Sequence, residues 1–260
     1  MNIKTFGVVV ALILIMFMSA IETSIVSLAL PTIKEDLNVT GSISLIFSVY
    51  FIAIVIANPI VGELLDRTKT IYITLLGLVF FTIGSFFSGI SNTFGILIIS
   101  RFIQGLGAGI MMALSQIVPK LAFAIPLRYK IMGIVGSVWG ISSIIGPVLG
   151  GGILEFATWH WLFFVNIPIA IIAMLLVVFT FHFEHEQTTT SHKLDIKGLM
   201  LFYLFVFFLM FTVMNNSHLY LNCISFIVAI AMGMILIKNE KGIATPFFPV
   251  KEFNLSLIHI

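Results

Sequence analysis

An all-α protein that crosses the membrane many times is the fold class predicted by three features of this 260-residue sequence. Hydrophobic residues make up 60% and charged residues only 9%, where a soluble domain carries roughly 25% charged. The mean hydropathy is +1.17. Apolar runs repeatedly reach the ~20 residues that, as helix, cross ~30 Å of hydrocarbon. A water-soluble globular fold is thereby excluded. The net charge is +2 and the 13 Lys and Arg are scattered between apolar runs, so no concentrated basic surface exists to hold a phosphate backbone. Nucleic-acid binding is excluded on that ground. The single cysteine, Cys223, cannot form an intramolecular disulfide and is expected to pack as a small hydrophobe in its apolar run.

Polar breaks divide the chain into eight expected spans, at 6–30, 43–61, 71–90, 94–118, 131–153, 161–181, 198–214 and 219–237. The first has only Lys4 before it and is too long for a signal peptide, so it is read as an uncleaved helix. Placing the N-terminus in the cytoplasm puts eleven Lys and Arg on the cytoplasmic side and Lys34 alone outside, with Arg101 inside a span. The positive-inside rule favours both the count and the orientation. Trp159 and Trp161 then fall at the outer boundary, where indole rings commonly sit. The polar stretch 182–197 is expected to be a cytoplasmic linker after a six-helix unit. Residues 238–260 read as a cytoplasmic segment followed by the start of a further apolar stretch, so the chain is expected to be truncated.

A charge in the bilayer interior costs from ~2.5 kcal/mol upward on insertion scales, which makes Glu22 and Arg101 the first functional candidates. Glu22 precedes Pro31 by nine residues and Arg101 lies seven residues into its span. At helical rise they sit ~13 Å and ~10 Å below the outer ends of their spans. A carboxylate and a guanidinium at one level can pair, each favouring the charged form of the other. Conformation-dependent pairing would change the proton affinity of Glu22, as proton-coupled transport requires. The alternative is a static buried pair that fixes helix register.

Other patterns are weaker. Glu63, Asp66, Arg67 and Lys69 form a charged cytoplasmic turn, either a lock between helix ends or ordinary topology-setting charge. Gly105, Gly107 and Gly109 are spread around their helix and permit close approach of neighbours. Gly146, Pro147 and Gly150 predict a bend or a close crossing in the fifth span. A metal site among His182, Glu184, His185, Glu186 and His192 is the lesser reading of a solvated linker. No nucleophile arrangement stands out, so an enzyme is not expected.

Six motifs in order resemble the major facilitator superfamily, specifically its 14-helix drug:proton antiporter branch. Glu22-Thr23-Ser24-Ile25-Val26-Ser27-Leu28-Ala29-Leu30-Pro31 resembles the branch pattern D-x-T-I-V-N-V-A-L-P, with Glu for Asp and Ser27 for Asn. Gly62-x-Leu64-x-Asp66-Arg67 matches the first half of the superfamily loop motif, but Lys69, Thr70 and Ile71 replace its closing Gly, Arg and Lys. Arg101-x-x-Gln104-Gly105-x-Gly107-Ala108 matches R-x-x-Q-G-x-G-A, and Gly140 with Gly146-Pro147-x-x-Gly150-Gly151 fits the antiporter motif of span five. Trp159-His-Trp161-Leu-Phe-Phe-Val-Asn166-Ile-Pro168 resembles W-R-W-x-F-x-x-N-x-P, and Asp195-x-x-Gly198 resembles the D-x-x-G that opens the seventh helix.

The resemblance implies an N-terminal six-helix bundle at 1–181, the linker at 182–197, a pair of additional helices at 198–237, and a C-terminal bundle lying outside this chain. It implies proton-coupled efflux of lipophilic, often cationic drugs across the plasma membrane, energised by the proton gradient with no cofactor. Glu22 would be the proton-coupling acid and Arg101 its partner. Gly62, Asp66, Arg67, Gln104, Gly105, Gly146, Pro147 and Gly150 would serve gating and conformational change. A narrow exporter of one metabolite or antibiotic, or a non-transporting sensory or assembly protein on the same scaffold, are the alternatives.

Overall fold

With no water in the hydrocarbon layer to satisfy N–H and C=O groups, a spanning segment must bond its own backbone, and every apolar run that the structure describes is helical. The computed structural model describes residues 3–182, 195–214 and 219–242. Nine helices are present among them: α1 (Ile3–Asp36), α2 (Leu45–Arg67), α3 (Thr70–Gly89), α4 (Phe94–Ala122), α5 (Leu127–Phe156), α6 (Trp161–Phe164), α7 (Asn166–Thr180), α8 (Ile196–Met214) and α9 (Leu219–Gly242). Counting α6 with α7, seven are long and apolar enough to cross a membrane, and α8 adds a shorter apolar helix over Ile196–Thr212. The chain divides into two units, 1–188 and 189–260. The division falls inside the expected linker, whose residues 183–194 lie outside the described ones, as do 243–260 of the expected tail.

Several helix ends differ from expectation. Helix α1 continues through Pro31 to Asp36, so Glu22 lies about 21 Å from its C-terminal end rather than ~13 Å. Proline removes one N–H from the ladder but does not end a helix whose next turns are held. Here Ile33 is fully buried, and the Trp159 indole N–H donates to Asp36 Oδ2 at 2.9 Å. Trp159 is thus a buried clasp on the end of α1, while Trp161 is exposed. The charged segment expected as a turn after the second span is the last turn of α2, where Glu63 and Arg67 pair at i,i+4 and the Thr68 N–H donates to Leu64 O at 2.8 Å. The sixth span is interrupted at Val165. Pro168 has no N–H for the carbonyl of Phe164, four residues before it. Cys223 sits on the exposed side of α9 rather than in a packed position.

Apolar burial gives little drive between helices in lipid, so close packing of small residues governs the first unit. Helix α4 is the hub. A methyl on Gly105 would lie 2.5 Å from Tyr50 O and one on Gly109 2.7 Å from Ile54 O, both on α2, while one on Gly107 would lie 2.3 Å from Phe81 N on α3. Spacing by two thus directs alternate glycines at two different neighbours. Helix α1 packs on α5 and α7; a methyl on Gly146 would meet Ser24 Cβ at 2.5 Å, and one on Gly7 would meet Thr180 Cγ2 at 2.4 Å. Two apolar clusters result. One contains Val8 to Met18 of α1 with Leu114 and Val118 of α4; the other contains Ile25 and Ile33 of α1 with Ile46, Leu97 and Phe163.

In the second unit α8 packs on α9, and Ser225 Oγ donates to Phe208 O at 2.7 Å. Asp195 Oδ1 accepts the Gly198 N–H at 2.9 Å, so the D-x-x-G pattern is a helix N-cap.

Candidate functional site

Between the two apolar clusters of the first unit lies a level of polar side chains. On α1 it falls after Met18 and before Ile25, at Glu22; on α4 it falls after Leu97 and before Ala108, at Arg101 and Gln104. Glu22 and Arg101 are the buried charged side chains of this unit among the described residues, at 1% and 0% exposure. Arg101 Nη1 donates to Glu22 Oε1 and also to Gln104 Oε1, the latter at 2.7 Å. Gln104 Nε2 donates to Ser85 Oγ of α3 at 2.9 Å. The second carboxylate oxygen, Glu22 Oε2, accepts from Asn166 Nδ2 at 2.6 Å.

Two aromatic rings lie against the guanidinium. Its central carbon lies 4.1 Å from the Tyr50 ring centroid and 5.8 Å from that of Phe163, within the range of cation–π attraction. Arg101 Nε and Nη2 and Asn166 Oδ1 are buried without a hydrogen-bond partner among the described residues. A buried pair of this kind is costly to desolvate and costly to break, because removing one partner strands the other in low dielectric. The site thus places the Glu22 carboxyl in direct contact with the Arg101 guanidinium.

The sequence-predicted residues divide clearly. Glu22, Arg101 and Gln104 come together, and Gly105 sets the approach of α2 that delivers Tyr50. Gly146 and Gly150 line the α1–α5 crossing against Ser24, Ile25 and Leu28, and α5 runs unbroken through Pro147. Gly62 and Arg67 lie on the last turns of α2, with nothing within 4 Å of a methyl placed on Gly62 and with Glu63 beside Arg67. The Asp66 side chain lies outside the described ones. Of the linker residues weighed for a metal, only His182 is described, and among the described residues no group of three or more His, Cys, Asp or Glu is placed to hold a metal ion.

Sequence reasoning missed Asn166, Ser85 and Tyr50 as members of the site. Asn166 had a signal, since an amide inside an otherwise apolar run needs a partner. Ser85 and Tyr50 had none, because their roles come only from helix contacts.

A polytopic helical bundle that buries a carboxylate on a guanidinium at one level defines a membrane protein with an internal ionisable site. Comparison with known proteins identifies it further: the Major Facilitator Superfamily model matches residues 12–257. The chain belongs to that superfamily. It is 66% identical over 257 residues to the multidrug efflux pump SdrM of Staphylococcus aureus (strain N315), covering 99% of this chain and 58% of that protein. Multidrug resistance protein 3 of Bacillus subtilis (strain 168) is 33% identical over 213 residues, 82% of this chain and 41% of the relative. The riboflavin transporter RibZ of Clostridioides difficile (strain 630) is 33% identical over 246 residues, 93% and 54% respectively. The chain therefore spans between 41% and 58% of the length of these relatives.

Proposed function

We propose that this chain is the N-terminal part of a proton-coupled exporter of lipophilic, often cationic compounds, working by alternating access in the plasma membrane with its N-terminus in the cytoplasm. The observation that carries the reading is the buried contact of Glu22 with Arg101, reached from α1 and α4. A carboxylate that meets a fixed cation in one arrangement of the helices and leaves it in another binds its proton differently in the two. That difference is what couples a proton gradient to export, with no cofactor and no covalent chemistry. The naming of the 66% identical S. aureus relative as a multidrug efflux pump supports the substrate class. A second six-helix bundle, in the length of the relatives that this chain does not span, completes the cavity. Asp66, Arg67 and Gly62 then serve the cytoplasmic gate, and Gly146, Pro147 and Gly150 the α1–α5 crossing as the helices move.

Dye efflux from vesicles carrying the protein, driven by a pH gradient, tests this. Glu22→Gln abolishes gradient-driven efflux, and Glu22→Asp, which restores the acid usual in the resembling pattern, retains it. Undiminished gradient-driven efflux by the Gln variant overturns the coupling role. One observation favours a second reading, a narrow exporter of one compound: the relative that matches over 93% of this chain is named for the transport of a single compound, riboflavin. Efflux of several unrelated dyes supports the broad reading, and efflux of only one compound supports the narrow one.

A further inference from the structure

The two amides of the buried site differ in what holds them. Gln104 is fixed at both ends, its Oε1 taken by Arg101 Nη1 at 2.7 Å and its Nε2 given to Ser85 Oγ at 2.9 Å. Asn166 is fixed at one end only: its Nδ2 donates to Glu22 Oε2 at 2.6 Å, while its Oδ1 is buried with no partner among the described residues. The side chain is 1% exposed, so no bulk water serves that oxygen. An ionised carboxylate offers acceptors alone, so it takes the NH2 end of the amide. A protonated carboxyl must instead give its O–H to an acceptor. The Asn χ2 torsion is broad and roughly two-fold, and the O and NH2 ends are nearly alike in size, so the amide can turn over without displacing its neighbours.

We propose that Asn166 is the positioning residue for proton exchange at Glu22, donating through Nδ2 to the ionised carboxylate and, after turning over, accepting through Oδ1 from the protonated one. This rests on the proton-coupling reading given above. Both states of Glu22 are then satisfied inside the buried site, and neither is stranded as the proton comes and goes. The place of Asn166 suits the role, since it is the first residue of α7, directly after the interruption at Val165. The titratable groups facing Glu22 are Arg101 from α4 and Tyr50 from α2. Helix α7 carries none, and those of α5, namely Arg128, Tyr129, Lys130 and Glu155, stand at its two ends.

Infrared difference spectra of the purified protein in lipid vesicles, taken across a pH titration, test the assignment. The carboxylic C=O band of Glu22 is identified by its loss in Glu22→Gln. In Asn166→Leu that band moves to higher wavenumber, as for an acid without a hydrogen-bond partner. Its titration midpoint is displaced to higher pH by about half a unit, roughly threefold in proton affinity, because the bond to the charged form is the stronger of the two lost. Asn166→Ala gives the same displacement if the Leu variant does not fold. A Glu22 band and midpoint unmoved in both variants overturn the proposal, since a merely structural Asn166 changes protein yield and leaves both in place. If the band moves while Glu22→Gln still transports on a pH gradient, the coupling reading fails and the hydrogen-bond assignment stands.

Discussion

Two acid–base pairs in the first unit are chemically alike and physically opposite. Glu63 and Arg67 are four residues apart on the last turns of α2, with side chains 26% and 59% exposed. Glu22 and Arg101 are 79 residues apart in sequence, on different helices, and almost wholly buried. The first pair is delivered by helix periodicity alone and is screened by solvent, so it contributes only ~0.3–0.5 kcal/mol. The second exists only because α1 and α4 pack, and at 0% and 1% exposure it is kept from solvent and held instead by Gln104, Asn166 and Tyr50. Glycines follow the same contrast, since Gly107 is pressed against the α3 backbone while Gly62 has open space. A charge motif thus carries energetic weight through where its residues are packed, not through its composition.

The contrast can be broken most forcefully at Arg101. Arg101→Ala is expected to destabilise the protein by about 3–5 kcal/mol, the cost of stranding a buried partner. Thermal unfolding in detergent measures it, and a change below 1 kcal/mol would show the pair to be solvated in practice. Next in size, Gly107→Ala forces a methyl into a 2.3 Å approach to Phe81 N. About 1–3 kcal/mol of overpacking cost is expected there, read as a lower unfolding temperature. Gly62→Ala sharpens the comparison by reversing the sign. With open space around it, the substitution is expected to raise stability by up to about 1 kcal/mol through helix propensity. The smallest effect belongs to Glu63→Gln, at or below ~0.5 kcal/mol and further reduced by added salt; a loss above 2 kcal/mol would place that pair in the same class as the buried one.

Much of this was legible in the residues. Run length and the Lys/Arg bias determine the helices and their expected orientation, because the hydrocarbon layer forbids open backbone and charge crosses it reluctantly. The depth that helical rise gives Glu22 was too shallow because α1 runs on to Asp36, yet its meeting with Arg101 was foreseeable as the cheapest arrangement for two intramembrane charges. What was not legible had no local signature. Pro31 looks like a helix end, yet Ile33 and the Trp159 clasp on Asp36 carry α1 past it. The clasp of Trp159 on Asp36, 123 residues away, has no signature in either local segment. Cys223 lies in an apolar run, but only the pairing of α8 with α9 decides which of its faces is covered.

Although the buried Glu240 of α9 reads as part of a polar tail, hydropathy and composition alone were enough to establish a many-span helical protein, the burial of Glu22 and Arg101 and the glycines of α4 that permit close approach. These are one-dimensional properties, set by hydropathy, rise per residue and side-chain size. Only the tertiary structure decided that Asn166 rather than a second charge completes the Glu22 site, that Tyr50 covers the guanidinium, and that Gly105 and Gly107 serve two different neighbours. Those outcomes depend on the rotation and crossing of packed helices, which side-chain contacts far apart in sequence fix together.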